Sequence, residues 1–90
     1  MKSYKETKLS ENVYLRTFRD LDSELFVWHR DKENRKVIVL EAGQGWKLQL
    51  DNCLPQDLYP GRILTIPREV FHRVIAGTGT LKIRLVKDFN

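Results

Sequence analysis

One cysteine in 90 residues, Cys53, excludes an internal disulfide. It stands in the polar turn DNCLPQD without a Cys-x-x-Cys partner, so it reads as a buried or inert thiol in a reducing compartment. The expected location is the cytoplasm. No apolar run approaches the ~20 residues of a membrane span, and the opening MKSYKETKLSEN holds no apolar signal-peptide core. A membrane partner is therefore not expected. No segment sustains a 3.6-residue apolar period, which argues against helix. A phosphate loop, a Ser-His-Asp arrangement and zinc-finger spacing are all missing, and the glycines of EAGQGW open no helix that could cradle a dinucleotide.

Continuous basic character is missing too. The net charge is +4, but the densest group, Arg30 to Lys36, is interrupted by Asp31 and Glu33. Nucleic-acid binders more often show an unbroken basic stripe with stacking aromatics, so nucleic acid is not the expected partner and that block reads as a solvated hairpin tip.

What is present is a series of short alternating runs. Hydrophobic residues make up 41% of the chain and charged residues 31%, enough for one small soluble core. Residues 1–12 form an N-terminal arm or edge strand, and residues 13–90 a single domain. Val13 to Phe18 alternates as a strand, and Asp20 to Ser23 carries turn chemistry. Glu24 to Arg30 puts Leu25, Val27 and His29 on one face and Phe26 and Trp28 on the other, which predicts a central strand covered twice, by the arm or by a partner subunit. Lys32 to Arg35 turns the chain into a strand over Lys36 to Ala42, and Gly43-Gln44-Gly45 makes a bend or bulge. Trp46, Leu48 and Leu50 point inward, and Asp51 to Tyr59 is a loop.

Pro60-Gly61 opens the next pair of strands, Arg62 to Ile66 and Val70 to Ala76, separated by Pro67. Thr80 to Lys87 closes the chain, with Leu81, Ile83 and Leu85 on one face. Seven or eight short strands with no repeat and no linker predict an all-β sandwich or small barrel.

The chemistry-bearing candidates are few. His72 lies on the Val70/Val74 face, a polar group where apolar groups point. His29 and Asp31 are two apart and share a strand face. Two imidazoles and a carboxylate are the facial-triad set that binds non-haem Fe(II) and also suits Mn or Zn. Such a metal keeps positions open for water or substrate. Arg73 and Arg84 would meet an anionic ligand, or pair with Glu24 and Glu69; Trp28 and Trp46 are aromatic candidates for a pocket wall.

The stretch Gly61, five residues, Pro67, four residues, His72 resembles the second motif of the cupins, with Glu69 in place of the second glycine and Ala76 in place of asparagine. His29 and Asp31 fall on the histidine pair of the first cupin motif, Lys36 on its glutamate and Gly43 on its final glycine. The resemblance spans about residues 24–87. It implies a cupin-type double-stranded β-helix, a jelly-roll barrel that commonly pairs as a homodimer. It also implies a divalent metal (Fe, Mn, Ni or Zn) at His29, Asp31 and His72, beside a small-molecule pocket lined by Lys36, Trp46 and Arg84. The order His-x-Asp with a distant histidine also resembles the iron dioxygenases that use 2-oxoglutarate, where Lys82 or Arg84 would receive the acidic co-substrate.

Lys36 opposes a metal, because an ammonium among the ligands repels a divalent cation. An Asp31–Lys36 salt bridge is the plain alternative. Two readings follow: a small metal-binding cupin acting on a small molecule, or a metal-free cupin-like binding or interaction module with a degenerate metal site. The residues assign no reaction.

Overall fold

Strands form where apolar and β-branched residues alternate with polar ones, and they break at Gly, Pro and Asn-rich turns. The structure, a computed structural model, describes residues 4–19 and 27–89. Its strands are β1 (Tyr4–Ser10), β2 (Val13–Arg19), β3 (Asn34–Gln44), β4 (Lys47–Leu50), β5 (Gln56–Asp57), β6 (Ile63–Ile66), β7 (His72–Ile75) and β8 (Thr78–Asp88). No helix occurs among the described residues, so none is long and apolar enough to cross a membrane. The strands make a five-stranded sheet ordered β1-β2-β8-β3-β6 and a three-stranded sheet ordered β5-β4-β7.

The two longest strands, β3 and β8, lie side by side and antiparallel in the middle of the larger sheet. Val37 and Val39 of β3 and Leu81, Ile83 and Leu85 of β8 face inward, while Lys36 and Arg84 alternate outward and are exposed. The inward set meets Trp46, Leu48, Leu58, Leu64 and Ile66 in one core. A fully buried leucine such as Leu81 contributes about 1.5–3 kcal/mol over an exposed one. Two of the passages between the sheets are glycine corners, at the end of β3 and just before β8. There a Cβ on Gly43 would stand 1.9 Å from the Thr78 carbonyl oxygen, and one on Gly77 2.0 Å from that of Gln44. Only hydrogen fits at either place. Trp46 closes the same corner by donating from Nε1 to the Thr78 carbonyl at 3.1 Å.

Three expectations are corrected here. The first three positions of the strand read over Glu24 to Arg30 (residues 24–26) lie outside the described residues. Its remaining part is no covered central strand: Val27 and Trp28 are 53% and 39% exposed. Within it, His29 forms an isolated antiparallel bridge to His72. Cys53 is exposed rather than buried, because its loop, which includes β5, runs over the surface. The strand expected from Val70 begins at His72, after a turn in which Glu69 adopts φ 63°.

Candidate functional site

The site is built where the loop before β3 crosses the free edge of β7. His29 and His72 exchange backbone hydrogen bonds of 2.8 and 2.7 Å, and Glu69 donates its backbone N–H to the Asp31 carbonyl at 2.7 Å. These bonds hold the segment from His29 to Asp31 against the small sheet. They bring His29, Asp31 and His72 to the wall of one cavity of about 200 Å³. The three candidates named from the sequence thus share a site, although 40 residues of chain lie between Asp31 and His72.

The same cavity is lined by four arginines, Arg16, Arg30, Arg35 and Arg73. Asp31 is the carboxylate in that lining. Arg35 Nη2 lies 3.0 Å from Asp31 Oδ1 and 2.8 Å from Glu33 Oε1, with all three side chains largely buried. Arg16 donates from Nε to Glu6 across the β1–β2 pair. Arg73 donates from Nε to Gln49 Oε1 at 2.9 Å and stacks over Trp28 at 4.8 Å. Arg30 stacks over Phe71 at 5.1 Å and lies 3.7 Å from Glu69. Cation–π contact holds these two guanidinium groups against the Phe71 and Trp28 rings.

His72 is buried, and Nδ1 lies 3.0 Å from the Val70 carbonyl. A carbonyl only accepts, so Nδ1 carries the proton and Nε2 of the neutral ring offers a lone pair. Burial pushes the imidazole below the usual histidine value; the Val70 hydrogen bond and the Asp31 carboxylate oppose this without reversing it. Nε2 lies 3.3 Å from Asp31 Oδ2, and that oxygen is buried without a hydrogen-bond donor. Two acceptors thus face each other across the cavity wall, waiting for a donor. Burial would raise the Glu33 carboxyl, but the Arg35 hydrogen bond and charge hold it below the ordinary glutamate value.

The residues do not fit a three-ligand metal centre. Among the described residues no group of three or more His, Cys, Asp and Glu side chains is arranged to hold a metal ion. The physical reason is Arg35: its guanidinium already takes Asp31 Oδ1, and a divalent cation beside it would meet repulsion of several kcal/mol. Lys36, expected to be the obstacle, is not in the site. It alternates to the outer face of β3, and the Asp31–Lys36 bridge is replaced by Asp31–Arg35.

The expected pocket residues fare likewise. Arg84 stands exposed on the outer face of β8, and Lys82 alternates to that side as well, because Leu81, Ile83 and Leu85 take the inner positions. Trp46 is packed into the core at the glycine corner, 1% exposed, and does not line the cavity. The arginines the sequence reading passed over did carry a signal. Arg16 is two residues from the buried Phe18, and Arg35 two from the buried Val37, so strand alternation turns both inward.

No protein-family model matches the chain, and no curated protein matches it. Solved structures do. A cupin superfamily protein from Desulfitobacterium hafniense DCB-2 superposes with a TM-score of 0.72 at 20% identity, covering 97% of this chain and 76% of that one. An RmlC-like cupin family protein with a double-stranded β-helix fold, from Methanocaldococcus jannaschii, gives 0.69 at 20% identity over 98% and 82%. A DMSP lyase from Ruegeria pomeroyi gives 0.73 at 12% identity, covering 96% of this chain but 47% of that one. The sheet order, the two glycine corners and these superpositions agree that the chain has the cupin-type fold, an all-β double-stranded β-helix.

Proposed function

We propose that the protein is a cupin-fold binding module that takes a small organic anion directly on arginine, without a metal ion. The observation that carries this reading is the cavity lining, in which four guanidinium groups face the space. Arg16, Arg30 and Arg35 pair with Glu6, Glu69 and the Asp31–Glu33 couple, but Arg73 is held by the neutral Gln49 and by Trp28 and keeps its charge for a ligand. Guanidinium forks match carboxylate and phosphate oxygens in bidentate pairs, and a concave, partly desolvated wall strengthens such pairs. The donor-seeking pair Asp31 Oδ2 and His72 Nε2 supplies a second contact, suited to a bound water or to a hydroxyl or amino group of the ligand. The other reading, a divalent metal at His29, Asp31 and His72, draws on that same pair but sets the metal beside the Arg35 guanidinium, which already holds Asp31 Oδ1.

The test is thermal unfolding of untagged protein with and without each class of ligand. Acetate, phosphate or a larger carboxylate at millimolar concentration should raise Tm, since a ligand that binds only the folded state stabilises it by mass action. Fe(II), Mn(II), Ni(II) and Zn(II) should not. Stabilisation by a metal with none by anions would overturn the proposal in favour of the metal centre. Pairing as a homodimer is part of the same proposal. It is supported by Ile38, Leu40 and Ile63, which form an apolar strip on the outer face of β3 and β6, and is read by sizing the 10.7 kDa chain.

A further inference from the structure

Adjoining the charged cavity is a second, smaller void of about 50 Å³, and most of its lining is hydrocarbon. It is walled by aliphatic side chains, among them Val37, Leu48, Leu58, Ile66, Leu81 and Ile83. The two spaces share a boundary: Arg16, Phe18, Arg35, His72 and Val74 line both. The two spaces thus differ in lining: Arg30, Asp31 and Arg73 line only the larger one, Arg16, Arg35 and His72 stand on the boundary, and the aliphatic side chains just named line only the smaller one.

We infer, resting on the reading that the cavity takes an organic anion, that the ligand is a small carboxylate with a short apolar chain, its carboxylate on the arginines of the larger space and its chain in the aliphatic chamber. A void of this size admits about three or four water-sized groups, yet its lining is mostly hydrocarbon and offers water partners only on the side of Arg16, Arg35 and His72. Water is therefore a poor occupant and a short hydrocarbon a good one. A sugar or other polyhydroxylated anion is disfavoured, because hydroxyls reaching the chamber would lose their hydrogen bonds to water without replacement. An inorganic anion would satisfy the arginines and leave the chamber unused. Arg73, set over Trp28 and held by Gln49, and Arg30, over Phe71 and beside Glu69, line the larger space and not the smaller one, which places them to meet the charged end.

Calorimetric titration of the whole chain with acetate, propanoate, butanoate, pentanoate and octanoate, beside inorganic phosphate, tests this. Affinity should rise about four-fold per added methylene from acetate to pentanoate, the gain expected for burying each CH₂. It should then level off at octanoate, once the chamber is full. Binding of acetate and phosphate with no gain along the series overturns the inference and leaves the anion reading standing. Absence of binding by every anion overturns both. A rise that continues unbroken to octanoate places the chain outside the chamber and overturns the inference as well. Val37→Phe, which fills the chamber from its wall, should flatten the series. A wild-type slope in that variant, with a cooperative unfolding transition, would show that the chain lies elsewhere. The wild-type series decides the matter whether or not the variant folds.

Discussion

Replacing Arg35 with methionine removes one guanidinium from between two carboxylates and keeps most of the side-chain volume. The Arg35, Asp31 and Glu33 side chains are 11%, 21% and 9% exposed, so solvent cannot readily re-solvate the acids left behind. Removing one partner of a buried ion pair typically costs about 3–5 kcal/mol, because the remaining charge is stranded. With an unfolding entropy of about 2.1 cal/mol/K per residue, a 90-residue domain loses roughly 5 °C per kcal/mol, so the variant should melt about 15–25 °C lower. The assay is circular dichroism melting at pH 7, repeated in an Asp31→Asn, Glu33→Gln background. There Arg35 is itself the stranded charge, and Arg35→Met should cost little or stabilise. A loss below about 5 °C in the wild-type background would refute the reasoning, since it would place the triplet among ordinary surface pairs of about 0–1 kcal/mol. An equal loss in both backgrounds would also refute it, by showing that the side chain acts through packing alone.

Two further outcomes follow from the same neighbourhood. The His72 imidazole lies below its ordinary value of about 6.5, so the unfolded chain binds the proton more readily. Its contribution to stability is therefore complete above pH ~6.5 and is lost as the pH falls toward the folded-state value. Melting temperature measured between pH 8 and 5 should fall on the acid side in wild type and fall less in His72→Asn; parallel curves would count against the assignment. Glu69 adopts φ 63°, a conformation that costs an L-residue about 1–2 kcal/mol and glycine almost nothing. Glu69→Gly should stabilise the protein by about 0.5–1 kcal/mol after the glycine's extra unfolded-state entropy is deducted, and a drop in the urea midpoint would refute this.

Alternation made much of this structure legible. The inward faces of β4 and β8, with Leu48, Leu81, Ile83 and Leu85, and Trp46 just before β4, follow from a period of two and from nothing else. The spacing from Gly61 through Pro67 to His72 pointed to the cupin-type barrel even with Glu69 in a glycine's place. The backbone keeps the glycine conformation there, which explains how the motif survives the substitution. The site was legible only in part. Aligning Lys36 with a motif glutamate placed it in the pocket, whereas its register on β3 turns it outward and turns Arg35 inward. Counting back from Val37 by twos would have found Arg35. Counting from Phe18 would have found Arg16.

The sequence alone determined what depends on near neighbours in the chain: strands rather than helix among the described residues, the turns at glycine and proline, the apolar faces, and the placing of His29 and Asp31 on one short segment. It also contained the four arginines without saying that they meet. Their meeting was decided by the tertiary structure, because Arg16 comes from β2, Arg30 from the loop before β3, Arg35 from β3 and Arg73 from β7. Sheet order and the His29–His72 bridge bring those elements to one cavity. There the charge of the wall, and with it the choice between a cation and an anion, is a sum over residues that no local pattern connects.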